Sequence, residues 1–187
     1  MKFCKVRTPS GDEMWATYSR DTLRQITSAP WISGWQLTGH SLSLKDVEFL
    51  APCEPEKVIG VAQNYHDKEN SSNTDKPIVY FIKAAGAVIE ADQPVRLPDP
   101  KEDVWGEAEL AFIVGADSAS KTGFSIFGYL IANDITRNNI GGLDHHLAYS
   151  KSPYGFCPVS KIIDTEFNPN SKKYMLIRMI SCCVRPV

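Results

Sequence analysis

A chain of 187 residues with 43% hydrophobic residues, 22% charged residues and a formal net charge of -2 has the composition of a globular protein with one good core. The balanced charge predicts no nucleic acid or anionic membrane as partner, and the sequence has no apolar run of about 18 residues that would predict a membrane span. The N-terminus has no signal-peptide pattern, so we expect a cytoplasmic protein. Five cysteines without Cys-x-x-Cys spacing predict reduced packing residues rather than a zinc site.

Residues 1–53 predict a small N-terminal lobe made of short elements. "KFCKVRT" (2–8) and "MWATYS" (14–19) alternate as strands do around a turn at "PSGDE". "SRDTLRQITS" (19–28) begins with a Ser/Asp capping signal and predicts a helix. "LAPCEPEK" (50–57) is rich in proline and charge and predicts a linker.

Residues 54–187 predict a second domain made mainly of strands. Apolar runs separated by polar loops occur at "VIGVAQNY" (58–65), "KPIVYFIK" (76–83), "GEAELAFIVG" (106–115) and "FGYLIANDIT" (127–136). Strands at this density, with few long helical patterns, favour an α+β fold that is mainly β.

Two carboxylates stand at the head of the apolar run "WGEAELAFIVG" (105–115). On a strand, Glu107 and Glu109 share one face, and the apolar residues on both faces predict a strand covered on both sides. Burying two neighbouring carboxylates without a cation is costly, because each opposes the ionisation of the other. The pattern is compatible with a divalent metal, with a partner Lys or Arg, or with a strand end at the sheet rim where both glutamates meet water.

A third carboxylate and a lysine follow in similar settings. Asp134 lies near the end of the apolar run "GYLIANDIT" (128–136), and strand ends are common places for functional sites. Three oxygen ligands that leave positions open for water or substrate suit Mg²⁺ or Mn²⁺ better than zinc. Lys151, in "LAYSKSPYGFCP" (147–158), is either solvated or a cation that faces an anionic substrate.

Five segments in this order resemble the fumarylacetoacetate hydrolase family: "VIGVAQNY", "YFIKAAGAVIEADQPVRLP", "WGEAELAFIVG", "GYLIANDIT" and "SKSPYGFCP". The resemblance covers residues 56–165, and the lobe before them is similar to the N-terminal lobe of bacterial members. It implies mixed β-sheets folded into a roll and assembly as a homodimer. It also implies a Glu-x-Glu pair and an Asp that bind Mg²⁺ or Mn²⁺, which fall on Glu107, Glu109 and Asp134.

The resemblance further implies an enzyme that acts on small 2-oxo or 2,4-dioxo acids of aromatic or amino-acid catabolism. The reactions are hydrolysis of a C–C bond, isomerisation and decarboxylation. Lys151 matches a family lysine that neutralises charge on substrate oxygens. Lys83 matches a Phe-x-Lys-Pro motif, with Ala84 in place of the proline, and we assign it a weaker substrate-binding or structural role against the alternative of plain solvation.

Two departures from the family pattern weaken the hydrolase interpretation in particular. In the lid "NYHDKENSS", Lys68 stands where hydrolases of the family have a base. His66, two residues upstream, is either a substitute for that base or an exposed lid histidine. After Asp134 the family's arginine is displaced by one position, to Arg137. Tautomerisation and decarboxylation depend less on a base that activates water, so the two departures weaken the case for these reactions less than the case for hydrolysis.

The last stretch, "SKKYMLIRMISCCVRPV", does not resemble the strands that close the roll in the family. We therefore expect a roll that is incomplete at the C-terminus. The alternative to an active enzyme is a catalytically inactive fragment of the family, which binds metal or small acids weakly or only associates with related chains.

Overall fold

The fold is mainly β, as the sequence predicts, and the computed structural model describes residues 1–62, 64, 77–97, 99, 101–116 and 124–169. Helical structure in these ranges is limited to α1 (Ala148–Lys151) and two 3₁₀ turns, Leu44–Asp46 and Ala85–Ala87. Within the same ranges, no helix is long and apolar enough to cross a membrane.

Strands make up most of the regular structure. The N-terminal part contains β1 (Lys2–Arg7), β2 (Glu13–Ser19), β3 (Thr22–Ile26), β4 (Leu37–Ser43) and β5 (Glu48–Leu50). The strands that follow in the described ranges are β6 (Val58–Ala62), β7 (Val79–Lys83), β8 (Val88–Glu90), β9 (Val104–Trp105), β10 (Ala108–Ala116), β11 (Phe124–Asn133), β12 (Thr136–Arg137), β13 (Cys157–Val159) and β14 (Ile163–Asp164).

Most of these strands belong to one mixed sheet with the order β4-β3-β2-β1-β14-β11-β13-β8, to which β10 is added beside β11 and β5 beside β1. Its strands pair antiparallel, except β13 and β8, which are parallel. β6 pairs with β7, and β9 with β12, outside this sheet. Because β1 pairs with β14, the N-terminal and later strands share a sheet. The division into domains 1–53 and 54–187 stays a prediction.

The helix predicted over residues 19–28 is wrong, because this segment continues a hairpin. β2 ends at Ser19 and β3 begins at Thr22, so Arg20 and Asp21 form a two-residue turn in which Arg20 has a φ of 51°. Two-residue hairpin turns require positive φ and favour small polar residues. The Ser/Asp pattern that is typical of a helix cap therefore belongs to a turn.

Burial on both faces of β3 explains why residues 19–28 have the apolar spacing of a helix. Leu23 lies on one face, in a core cluster with Cys4, Val6 and Ala16. Ile26 lies opposite Trp15 on the other face, where the ring centroids of Trp15 and Trp31 are 4.9 Å apart. Two buried residues three positions apart mimic the spacing of a helix.

β10 is covered on one face only in the described structure. Ala111 and Ile113 pack against a core cluster made of Ala87, Leu130, Ala132, Cys157 and Val159. Phe112 and Val114 are each 54% exposed. The prediction of a strand covered on both faces is therefore wrong for β10. The face that packs on the core is the one that carries Ala111 and Ile113, and it is the face on which the sequence places Glu107 and Glu109.

Candidate metal centre

Three carboxylates meet where β10 begins and β11 ends. Glu107 directly precedes β10 and Asp134 directly follows β11, and the pairing of Ala108 with Asn133 places these strand ends side by side. The backbone N–H of Asp134 donates to the carbonyl oxygen of Glu107 at 2.8 Å. One carboxylate oxygen from each of Glu107, Glu109 and Asp134 lies within 4.8 Å of the others.

This donor set fits a hard divalent cation. Mg²⁺ binds oxygen at about 2.0–2.1 Å in an octahedron, so neighbouring ligand oxygens on one ion are roughly 3 Å apart and opposite ones roughly 4 Å apart. The limit of 4.8 Å on the separations of the three oxygens is close to these values. Three protein oxygens also leave positions for water or a small ligand, and a set of carboxylates alone suits Mg²⁺ or Mn²⁺.

Lys151 is a buried partner of two of these carboxylates. It is the last residue of α1 and is 7% exposed. Its Nζ donates to Asp134 Oδ2 at 2.6 Å and to Glu107 Oε2 at 3.1 Å, and it lies 4.9 Å from the centroid of the Phe81 ring. The interpretation of Lys151 as a solvated loop residue is therefore wrong.

Lys83 lies on the other side of Asp134. It ends β7, is 2% exposed, and forms a salt bridge with Asp134 Oδ1. Its Nζ also donates to the backbone carbonyl oxygen of Ile135 at 3.2 Å. Burial lowers the pKa of Lys83 from its ordinary value, although the adjacent Asp134 carboxylate favours the charged form. Plain solvation of Lys83 is excluded, whereas its predicted contact with substrate stays a prediction.

Glu107 is held in its ionised form by hydrogen bonds. Trp105 Nε1 donates to Glu107 Oε1 at 2.7 Å and Thr136 Oγ1 donates to the same oxygen at 3.3 Å. Burial opposes ionisation, but these donors and Lys151 outweigh it and keep the pKa of Glu107 below its ordinary value. The strand end therefore supplies a fixed negative charge.

Glu109 is the carboxylate without such support. It is half-buried on β10, and no hydrogen-bond donor reaches its side chain from the described part of the chain. Burial, followed by the negative charges of Asp134 and Glu107, raises the pKa of Glu109 to about 7. A cation among the three carboxylates would remove the electrostatic part of this shift.

Sequence reasoning missed the residues that fix α1 and thereby Lys151. Arg137 Nε donates to the carbonyl oxygen of Tyr149 at 2.7 Å, and its Nη1 forms a salt bridge of 2.9 Å with Glu102. Asp144 accepts hydrogen bonds from the backbone N–H and the hydroxyl of Ser150, both at 2.7 Å. The displaced position of Arg137 after Asp134 was the one sequence signal for this arrangement.

His66, the predicted lid base, lies outside the described residues. All the remaining residues predicted for the site lie close together in the structure: Glu107, Glu109, Asp134, Lys83 and Lys151.

Comparison with protein-family models gives two matches. Residues 57–180 match the model of the "Fumarylacetoacetate (FAA) hydrolase C-terminal" domain. Residues 1–52 match the model "Rv2993c-like, N-terminal". The first match includes all three carboxylates and both lysines of the centre.

Relatives and solved structures agree with these matches. Protein Rv2993c of Mycobacterium tuberculosis is 31% identical over 181 residues, which are 90% of this chain and 68% of that protein. The mitochondrial oxaloacetate tautomerase fahd2 of Xenopus laevis is 32% identical over 104 residues, 52% of this chain and 33% of that protein. The crystal structure of 5-carboxymethyl-2-hydroxymuconate delta-isomerase from Mycobacterium smegmatis matches with a TM-score of 0.78 and 28% identity, covering 90% of this chain and 68% of that one.

Proposed function

The chain belongs to the fumarylacetoacetate hydrolase family, and on that premise we propose that it is a divalent-metal-dependent enzyme that acts on 2-oxo or 2,4-dioxo acids. The observation that carries the proposal is the convergence of Glu107, Glu109 and Asp134, with their oxygens within 4.8 Å of one another. A cluster of three carboxylates with a buried ammonium group beside it suits a chelating, anionic substrate.

The proposed ligands of Mg²⁺ or Mn²⁺ are Glu107, Glu109 and Asp134. When bound, the cation would supply Lewis acidity to the keto oxygen of a 2-oxo acid. The chain's own residues prepare the site for it: Trp105 and Thr136 hold Glu107 ionised. The predicted roles of these residues are supported by the donor set and its geometry.

Lys151 is the proposed substrate-binding cation. Its ammonium group lies at the end of α1, next to the carboxylates and over the Phe81 ring. A positive charge in a buried setting stabilises negative charge that develops on a substrate oxygen more strongly than it would in water. Lys83 is held against Asp134 and the Ile135 carbonyl, so orienting Asp134 is the role that its contacts favour.

Among the reactions of the family, we propose isomerisation of a 2-oxo acid, the class that includes keto–enol tautomerisation. Tautomerisation moves one proton between the carbon beside the keto group and the keto oxygen, and it needs no activated water. The departures from the family pattern at Lys68 and His66 weaken the case for hydrolysis, which needs a base that activates water. They do not weaken the case for tautomerisation. The names of two similar proteins, an oxaloacetate tautomerase and a delta-isomerase, support this choice.

The experiment is a tautomerisation assay on the purified chain after chelation and reloading. Enol–keto exchange of oxaloacetate and of acylpyruvates is followed by absorbance with and without Mg²⁺ or Mn²⁺. We expect metal-dependent catalysis that Glu109→Gln reduces by about 100-fold or more, since Lewis acidity is worth several kcal/mol of barrier. Glu48→Gln, an exposed site on β5, is the matched control. Catalysis that persists in Glu109→Gln, or none with any of these acids, contradicts the proposal.

The predicted homodimer is part of the proposal. The hairpin of β6 and β7 presents an exposed apolar face, in which Ile59 pairs with Ile82 and Val61 with Tyr80. Contiguous exposed apolar surface of this kind is typical of protein interfaces. Light scattering after size-exclusion chromatography should give a dimer mass, and Ile82→Asp should shift it to a monomer. A monomeric wild-type chain would refute the dimer.

A further inference from the structure

Two lysines contact Asp134, but they are held in different ways. Lys83 contacts Asp134 Oδ1 and also donates to the backbone carbonyl of Ile135. Ile135 is itself fixed, because its N–H donates to the carbonyl oxygen of Phe156 at 3.0 Å. Lys83 therefore keeps a hydrogen-bond acceptor whatever happens at the carboxylates.

Lys151 has no such second anchor among the described residues. The hydrogen-bond acceptors of its Nζ are Asp134 Oδ2 and Glu107 Oε2, and both residues are proposed metal ligands. Its remaining contact is the face of the Phe81 ring, which attracts a cation without occupying a hydrogen-bond donor. The ammonium group thus bridges two of the three carboxylates that we propose as ligands of the divalent cation.

The net charge of the centre explains why one lysine should leave when a divalent cation binds. When both lysines are protonated and all three carboxylates are ionised, the metal-free centre has one more negative than positive charge. A divalent cation added to this set reverses the sign. Like charges in a buried site repel strongly. We therefore expect Lys151, whose ammonium group has no hydrogen-bond acceptor besides the carboxylates among the described residues, to move away before Lys83 does.

We propose that Lys151 and a divalent cation exchange on Glu107 and Asp134, whereas Lys83 remains on Asp134 in both states. The inference rests on the proposed metal site. Lys151 is then the internal counter-ion of the metal-free centre, and metal binding releases its ammonium group to pair with an anionic substrate. The order of binding follows: the metal binds before the 2-oxo acid, because the acid's counter-ion is engaged until then.

The first test follows the two ammonium groups directly in the full wild-type chain. Ammonium protons of a buried, ion-paired lysine exchange slowly with water, so NMR with ¹⁵N-labelled lysine detects them in the chelator-treated chain. We expect added Mg²⁺ to shift or remove the Lys151 signal and to leave the Lys83 signal in place. An unchanged Lys151 signal at saturating Mg²⁺ would overturn the exchange.

The second test measures Mg²⁺ affinity by calorimetry in Lys151→Met, with Lys83→Met as the matched control. Removing a competing cation should tighten Mg²⁺ binding by about tenfold or more, within the range of ordinary coupling between two ligands. Lys83→Met should bind Mg²⁺ no more tightly than the wild type, because Asp134 loses its fixed orientation. An equal gain in both variants would show that the lysines are only electrostatic neighbours and would overturn the proposal.

Stability measurements separate this inference from failure of the metal site itself. Lys151→Met should lower the melting temperature of the metal-free chain and not that of the Mg²⁺-saturated chain, since Lys151 no longer pairs with the carboxylates there. Equal losses in both states would refute the exchange while leaving the metal site intact. No Mg²⁺ binding by the wild type would refute the site. If Lys151→Met does not fold, the wild-type spectrum carries the test, with Lys151→Arg used for assignment.

Discussion

Two clusters of acidic and basic side chains in the described residues differ in burial and in how like charges are arranged. The N-terminal cluster consists of Lys5, Arg7, Glu13, Glu48 and Glu54. The metal-centre cluster consists of Lys83, Glu107, Glu109, Asp134 and Lys151.

In the N-terminal cluster, acids and bases alternate. Lys5 contacts Glu13 at 2.9 Å and also Glu54, and Arg7 contacts Glu13 at 2.7 Å and Glu48 at 2.9 Å. The Glu13 side chain is 41% exposed, so water screens these pairs. Hydrogen bonds from Lys5 and Arg7 lower the pKa of Glu13. Each acid in the cluster contacts at least one base, although three acids face two bases.

A cavity of about 350 Å3 lies beside this N-terminal cluster rather than at the metal centre, and its lining includes Lys5, Arg7, Glu13, Cys53, Val88 and Glu90. Lys5, Arg7, Glu13 and Glu54 of this lining already pair with one another. The metal-centre cluster instead places three carboxylates together, and no Lys or Arg side chain of the described residues forms a salt bridge with Glu109. Convergence of like charges, rather than the presence of charge or of a cavity, therefore marks the candidate site.

The largest effect should come from Asp134→Asn. Asp134 is 3% exposed and accepts hydrogen bonds from both lysines. Removing its charge leaves buried Lys83 without an ionised partner and Lys151 with Glu107 alone. Breaking a buried pair in this way costs about 3–5 kcal/mol. Urea unfolding of the metal-free chain measures the change. A loss comparable to that of Glu13→Gln would show that the two clusters do not differ.

A change in packing beside Lys151 should have the next largest effect. A Cβ atom added to Gly60 would lie 2.3 Å from Cζ of Phe81, the ring that Lys151 contacts. Because the ring must move, Gly60→Ala should destabilise the chain by about 1–3 kcal/mol. Gly115→Ala is the control, since its Cβ atom would be 3.7 Å from Phe127. Thermal unfolding compares the two, and equal stabilities would contradict the packing described for β6 and β7.

The pH dependence of stability should reveal Glu109. Its pKa of about 7 in the folded chain lies above the ordinary value of 4.5, so the folded state binds this proton more tightly than the unfolded state. The stabilising contribution is complete below pH 4.5 and is lost as the pH rises through 7. In chelator, the melting temperature of the wild type should therefore fall over this range relative to Glu109→Gln. Parallel profiles would refute the shifted pKa.

The smallest effect should come from Glu13→Gln, the N-terminal counterpart of Asp134→Asn. Glu13 also contacts two bases, but its pairs are exposed and screened. We expect a small drop in melting temperature that disappears in 1 M NaCl, where the Debye length is about 3 Å. A large drop that is insensitive to salt would remove the distinction between the clusters.

The sequence singled out the three carboxylates because each stands near the end of an apolar run, and the resemblance to the family assigned them to one metal. Their meeting depends on the antiparallel pairing of β10 with β11, which no local pattern predicts. The sequence did not predict the contact between Lys83 and Asp134, because these residues are 51 positions apart and no local pattern relates them. The helix predicted at residues 19–28 was wrong because β3 is buried on both faces. The support of α1 by Arg137 depends on tertiary contacts with Glu102 and Tyr149, which periodicity does not report.

The central claim is that Glu107, Glu109 and Asp134 bind one divalent cation, and electron paramagnetic resonance of added Mn²⁺ tests it most directly. Glu109→Gln is the informative variant, because the Glu109 side chain supports no described hydrogen bond and its loss should leave the fold intact. We predict that the wild-type chain binds one equivalent of Mn²⁺, that Mg²⁺ displaces it, and that folded Glu109→Gln does not bind it. Equal Mn²⁺ binding by the wild type and by Glu109→Gln would contradict the account.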